Sequence, residues 1–216
     1  TPIGNLSDMT PRALEILAAV DVVACEDTRT SGTLLSKFGM KKRLVSYHDF
    51  NERSRAGQLL ETLQSGQSVA VVTDAGSPGI SDPAYRVVRL ALENGIEIIP
   101  LPGATALIPA LTGSGLPTDR FFFEGFLSHK SAARKKRLEQ LVMFPHTLVF
   151  YESPHRVEKT LAAMRETFGN RQACLAREIS KKFEQFIRGS LDEILEQIDG
   201  RTVKGEIVLV VSGQSN

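Results

Sequence analysis

Ser68-Val69-Ala70-Val71-Val72-Thr73 is an uncharged, β-branched run that passes into Asp74-Ala75-Gly76-Ser77-Pro78-Gly79 and then, after Asp82-Pro83, into a periodic apolar segment stopped at Gly95. Runs of this kind favour strands, Gly/Pro clusters favour turns, and Asp-Pro before periodic apolar residues starts a helix. The stretch therefore predicts strand, loop and helix in succession, the unit from which parallel α/β sheets are built.

The same alternation extends in both directions. Upstream, Thr10 before Pro11 predicts a capped helix in which Leu14, Leu17 and Val20 share a face. Asp21-Val22-Val23-Ala24-Cys25 then reads as a short buried strand that delivers Glu26, Asp27, Thr28 and Arg29 to a sheet edge. Downstream, Ile96 to Leu101 predicts another strand, and Pro102-Gly103-Ala104-Thr105 opens an apolar helix toward Gly113. Beyond the Gly115-Leu116-Pro117 turn the texture changes. Strands are expected over 121–127, 146–152 and 206–211, extended segments over 172–178 and 183–188, and helices over 131–143, 154–168 and 190–199. The expected fold class is α/β, with an N-terminal domain over 1–116 on a parallel sheet and a mixed α/β C-terminal domain over 117–216.

Composition narrows the function classes. With 42% hydrophobic and 24% charged residues the chain is neither disordered nor fibrous. Twenty-six basic against 25 acidic residues leave a net charge of +1, so any surface for nucleic acid must be local. Cys25 and Cys174 stand apart without a CxxC pair, and His48, His129, His146 and His155 show no HExxH spacing, so neither a disulfide framework nor a metal site is expected. The uncharged stretch Ile98 to Thr118 is interrupted by Pro100, Pro102, Pro109 and Pro117, which argues against a membrane span. Thr1-Pro2-Ile3-Gly4-Asn5 lacks a basic segment followed by an apolar one, so no signal peptide and a cytoplasmic location are expected.

Two Gly/Pro loops lie between a predicted strand and a predicted helix, where open α/β sheets bind ligands. Neither GxGxxG nor GxxxxGK[ST] occurs, so a nucleoside ligand without a pyrophosphate fits better than a dinucleotide. Candidates for proton handling are Glu26 and Asp27 beside Arg29, His48, Glu152 and Lys181. Each has a plainer alternative: His48 as a positioning residue, Glu152 as a helix cap, Glu178 with Lys181 as a surface ion pair, Asp74 as an Asx-turn. The Glu26-to-Arg29 cluster ranks first, because charge directly after an apolar strand is costly unless partnered or at a cleft. Lys130, Arg134, Lys135, Lys136 and Arg137 form a basic run suited to phosphate, or to a solvated helix face.

Six ordered motifs carry a resemblance over nearly the whole chain: Thr1 to Leu6, Cys25 to Arg29, Thr73 to Pro83, Leu101 to Ala104, Tyr151 to Arg156 and Arg177 to Lys181. In this order they resemble the ribosomal RNA-methylating branch of the tetrapyrrole methylase superfamily, the class III methyltransferases. The family pattern also has a strand ahead of Thr1 and a helical tail after the last strand, so a shortened chain is expected. The resemblance implies S-adenosylmethionine in a cleft between two α/β domains, a homodimer, and 2′-O-methylation of a cytidine in the decoding region of 16S ribosomal RNA in the small subunit. It further implies that Pro2, Ile3, Asp74, Ala75, Gly76, Ser77, Pro78, Gly103, Ala104, Thr105, Ala106, Phe150, Tyr151, Ala176, Glu206 and Ile207 border the cofactor. Arg156 and Arg177 would add positive charge for RNA. Carbon methylation of a tetrapyrrole and a non-catalytic nucleotide-binding module are the alternatives. The charged motif loops count against an apolar macrocycle groove.

Overall fold

The computed structural model describes residues 1–214, and the chain divides into two compact units, Thr1–Thr105 and the remainder from Ala106. In the first unit β1 (Val22–Cys25), β2 (Arg43–Ser46) and β3 (Val69–Val72) form a parallel sheet of order β2-β1-β3. Val22 stands opposite both Arg43 and Val69. Helices α1 (Pro11–Ala19), α2 (Thr28–Lys37), α3 (Glu52–Gln64) and α4 (Tyr85–Glu93) flank it. As the central strand, β1 is buried along its length and alternates its side chains between two apolar clusters. Val23 and Cys25 pack with Leu17 and Leu35, while Ala24 packs with Tyr47, Leu59 and Val87. The Thr10 hydroxyl accepts from the Ala13 amide at 3.2 Å with Pro11 next in line, which is why α1 starts there.

Residues 96–101 are not a strand. They take part in no sheet pairing among the described residues, and the Ile96 amide closes α4 by donating to the Ala91 carbonyl. Pro100 and Pro102 have the same parity, so a strand here would lack two successive donors toward one neighbour. The helix expected from Asp82-Pro83 begins instead at Tyr85, with no side-chain cap.

The second unit is a mixed five-stranded sheet of order β4-β5-β8-β6-β7, made of β4 (Phe121–Phe126), β5 (Thr147–Glu152), β6 (Gln172–Arg177), β7 (Gln185–Ser190) and β8 (Ile207–Val211). Only β4 and β5 run parallel; the other pairs are antiparallel. Register sorts the side chains. The row Phe150–Leu209–Leu175–Ile187 faces the main core under α6 (Ser131–Leu141), α7 (Val157–Phe168) and α8 (Leu191–Ile198). The adjoining row Tyr151–Val208–Ala176–Phe186 therefore lies on the opposite face.

The helix α5 (Leu107–Gly113) belongs to this second sheet. A Cβ on Gly113 would stand 2.7 Å from Phe186 Cε1, and Arg188 Nε donates to the Gly113 carbonyl at 2.9 Å. These contacts explain why the division falls after Thr105 rather than after residue 116.

Candidate active site

In the first unit the carboxyl ends of all three strands feed one edge, the position at which parallel sheets present functional loops. Asp27 caps α2, its Oδ1 accepting from the Arg29 amide at 2.8 Å. Above it the Asp27 amide donates to Asp74 Oδ1 at 3.2 Å, so Asp74 ties the β1 loop to the β3 loop rather than closing an Asx-turn. The opening segment joins the same place. The Thr1 hydroxyl donates to the Thr73 carbonyl at 2.8 Å and the Gly76 amide to the Thr1 carbonyl at 3.2 Å, with Pro2 and Ile3 buried. Gly76 has φ +87°, a conformation open to glycine, and its missing Cβ would lie 3.6 Å from Ile3 Cγ2. The two Gly/Pro loops meet where Ser77 Oγ donates to the Ala104 carbonyl at 3.1 Å. Asp74 to Pro78 and Gly103 to Thr105 are thus neighbours in space.

The electrostatics of this edge separate its carboxylates. Arg29 hydrogen-bonds Asp27 through side chain and backbone and holds its carboxyl down at about 2. Burial, and then Asp74, push Glu26 above the ordinary glutamate range. Burial together with Glu26, Asp49 and Asp74 lifts Asp82 to about 6. Asp82 was read from sequence only as a helix start; its Asp-Pro context points to capping, and no spacing signal distinguishes a cap from a member of a charge cluster. His48 is held by Asn51. Its ring Nε2 lies 3.2 Å from Asn51 Nδ2, and Asn51 Oδ1 accepts from the His48 amide at 2.9 Å. The Asn51 side-chain amide thus meets both the backbone and the ring of His48.

In the second unit the expected cofactor residues divide by face. Tyr151 and Ala176 share the row opposite the main core, with the Tyr151 ring 4.9 Å from Phe123 and 5.6 Å from Phe126. Phe150 and Ile207 do not share that row. Their side chains are built into the apolar core, so the expectation that they border the cofactor rests on their backbone. Ala106 precedes α5, and Glu206 is exposed. Lys181 Nζ lies 2.9 Å from both Glu178 Oε1 and Glu206 Oε2. Burial pulls its pKa down, but the two carboxylates outweigh this and the net shift is upward, which favours the protonated form. The turn carrying it is strained, with Glu178 at φ +51° and Ser180 at φ +68°. Gly205 has no Cβ where the Glu178 carboxylate crosses.

Glu152 is engaged inside the fold. It is 3% exposed, and accepts from Arg156 Nε at 2.8 Å, the Ser153 amide at 2.7 Å and the Thr160 hydroxyl at 2.6 Å. The ion pair turns Arg156 inward, where it also donates to the Leu127 carbonyl at 3.1 Å. Arg177 Nε donates to the Lys204 carbonyl at 2.9 Å. Neither arginine is the unengaged surface cation expected for RNA.

The basic helix is also less free than its composition suggests. Arg134 is buried, on the same face of α6 as Leu138 and Leu141, and its Nε has no hydrogen-bond partner among the described residues. Lys135 pairs with Glu166 at 2.6 Å, and Arg137 grips both carboxylate oxygens of Glu124 at 2.7 Å. Lys130 and Lys136 remain exposed without an ion pair among the described residues. Among the same residues no group of His, Cys, Asp and Glu is placed to hold a metal, and no helix is long and apolar enough to cross a membrane.

Comparison with known proteins places this arrangement. The ribosomal RNA small subunit methyltransferase I of Synechocystis is 50% identical over 214 residues, covering 99% of this chain and 77% of that protein. Its counterpart of the same name from Mesorhizobium japonicum is 49% identical over 213 residues, covering 98% and 72%. The solved structure of the methyltransferase CobJ superposes with a TM-score of 0.70 at 20% identity, covering 98% of this chain and 91% of that one, a likeness of fold. The model of the tetrapyrrole (corrin/porphyrin) methylases matches residues 1–195. With sequence, fold and family model in agreement over most of its length, the chain belongs to the tetrapyrrole (corrin/porphyrin) methylase family.

Proposed function

We propose that this chain methylates ribosomal RNA of the small subunit, moving a methyl group from S-adenosylmethionine to the 2′-oxygen of a cytidine in the decoding region of 16S RNA. The observation that carries the reading is the 50% identity, along 99% of the chain, to a relative named for that RNA. The reading includes a homodimer and a cytoplasmic location.

The residues of the first unit suit the cofactor. S-adenosylmethionine, when bound, supplies an activated methyl group on a positively charged sulfonium. Burial, with the neighbouring Asp49 and Asp74 charges, raises the cost of ionising Glu26 and Asp82, and a cation beside them relieves it. Pro2, Ile3, Asp74 to Pro78 and Gly103 to Thr105 would hold the cofactor from this unit. Asp74 has one carboxylate oxygen engaged with the Asp27 amide, leaving the second for a hydroxyl or ammonium donor.

Glu26 is the residue fitted to draw the proton from a ribose hydroxyl. Its carboxylate is made more basic by burial and by Asp74, whereas Asp27 is made less basic and its Arg29 partner is occupied. Labelled methyl transfer to purified small subunits, followed by mapping of the modified nucleotide, tests the reading. Label on a cytidine 2′-oxygen is expected; no transfer, or label on a base or on protein, overturns it.

A further inference from the structure

The second unit holds a groove of about 410 Å³ between the start of α7 and the segment joining α8 to β8. Its polar wall is His155, Arg201, Thr202 and Lys204 against a single acid, Glu158. Val157, Ile198 and Val203 supply an apolar floor. None of Arg201, Lys204 and His155 forms an ion pair among the described residues, in contrast to Arg137, Arg156 and Arg165 of the same unit. The α7 helix begins at this groove, where the Arg156 and Val157 amides donate to the Ser153 carbonyl. The segment is held in place, because Arg177 Nε grips the Lys204 carbonyl from outside the groove.

We propose that this groove is an RNA subsite, which takes a backbone phosphate and the attached nucleoside of single-stranded ribosomal RNA. The proposal rests on the RNA-methylating reading above. Arg201 and Lys204 meet the phosphate, Thr202 offers a hydroxyl donor, and the apolar floor meets the sugar or base. The volume is that of a site for one small ligand, roughly 300–1,000 Å³. Its sign of charge is opposite to that of the carboxylate edge in the first unit, so the two places sort an anionic strand from a cationic cofactor. A protein partner is the competing occupant, but a small pocket combining unpaired cations with apolar lining matches one nucleotide more closely than a broad protein interface.

The test is binding of a fluorescein-labelled, single-stranded RNA of decoding-region sequence, measured by anisotropy over a range of salt, for the full chain and for R201Q/K204Q. The double variant is expected to bind at least about tenfold more weakly. Its slope of log K against log salt should be shallower by about 0.7, the value for one neutralised phosphate on a single strand. The charge-conserving R201K/K204R should restore both. An unchanged slope overturns the subsite, as does loss of binding to small subunits with binding to naked RNA intact, which would mark a protein contact. Should R201Q/K204Q not fold, as judged by its thermal midpoint, the single K204Q is read by the same slope with half the change. Failure of the underlying reading is distinguishable: the unaltered chain would then transfer no methyl group to small subunits.

Discussion

The Asp27 amide donates to Asp74 Oδ1 at 3.2 Å, joining loops 47 residues apart in sequence at the ends of β1 and β3. One side chain therefore serves both as the brace between two loops and as a candidate ligand group. D74A removes both roles and should raise the dissociation constant for S-adenosylmethionine about tenfold or more, equivalent to about 1.4 kcal/mol. D74N keeps an acceptor for the Asp27 amide while losing the charge, and should fall between. Isothermal calorimetry decides, and equal affinity in all three proteins would remove Asp74 from the cofactor site.

Asp82, lifted to about 6, ties cofactor affinity and stability to pH. Below that value the carboxyl is protonated, so the affinity for a cationic ligand should decline as pH falls from 7 to 5, and D82N should lose the inflection. Stability runs the other way. A folded-state pKa above the unfolded value means the folded form binds more protons, so stability falls as pH rises from about 4 to about 6. D82N should therefore melt higher than the parent at pH 7 and match it at pH 4, as read by thermal denaturation.

Glu26 is expected to act on the chemical step. E26Q should lower kcat about a hundredfold while leaving the dissociation constant for S-adenosylmethionine within a few-fold, since general-base contributions are of this order. Single-turnover methyl transfer at saturating cofactor measures it. An unaltered rate would return Glu26 to a purely electrostatic role.

Arg134 sits with Leu138 and Leu141 under α6, and its buried Nε has no partner among the described residues. R134M keeps the aliphatic stem while deleting the unsatisfied donor, and should stabilise the fold by about 1 kcal/mol. R134E would bury a charge of the wrong character and should unfold the second unit. Urea denaturation of the two variants separates the structural role from an RNA role, because a phosphate contact would instead show as lost RNA affinity in R134M.

Most of the second unit was legible in the sequence, β4 to β8 with α6, α7 and α8, as were α1, β1 and β3 of the first unit. Residues 28–64 passed unread because α2 and α3 are polar-rich; Thr28 to Lys37 gains its helix from the Asp27 cap and from the burial of Ser31 and Leu35. The Ile96 to Leu101 segment misled in the opposite sense, its apolar pattern outweighing the missing donors of Pro100 and Pro102. At the site, loop adjacency could be anticipated from Gly/Pro placement at strand ends. Pairing could not: the inward turn of Arg156 onto Glu152 and the burial of Arg134 depend on tertiary neighbours that no local spacing encodes.

The strand β8, latest of all in the described chain, lies at the centre of its sheet with β5 on one side and β6 on the other. During synthesis the halves β4-β5 and β6-β7 must wait, edges open, until residues 207–211 have left the ribosomal exit tunnel. A nascent chain halted before Ile207 would hold two unjoined ribbons, each presenting unpaired backbone to the other and to neighbouring chains. The second unit can close only after translation has passed its final strand, which makes those few residues the keystone of its biogenesis.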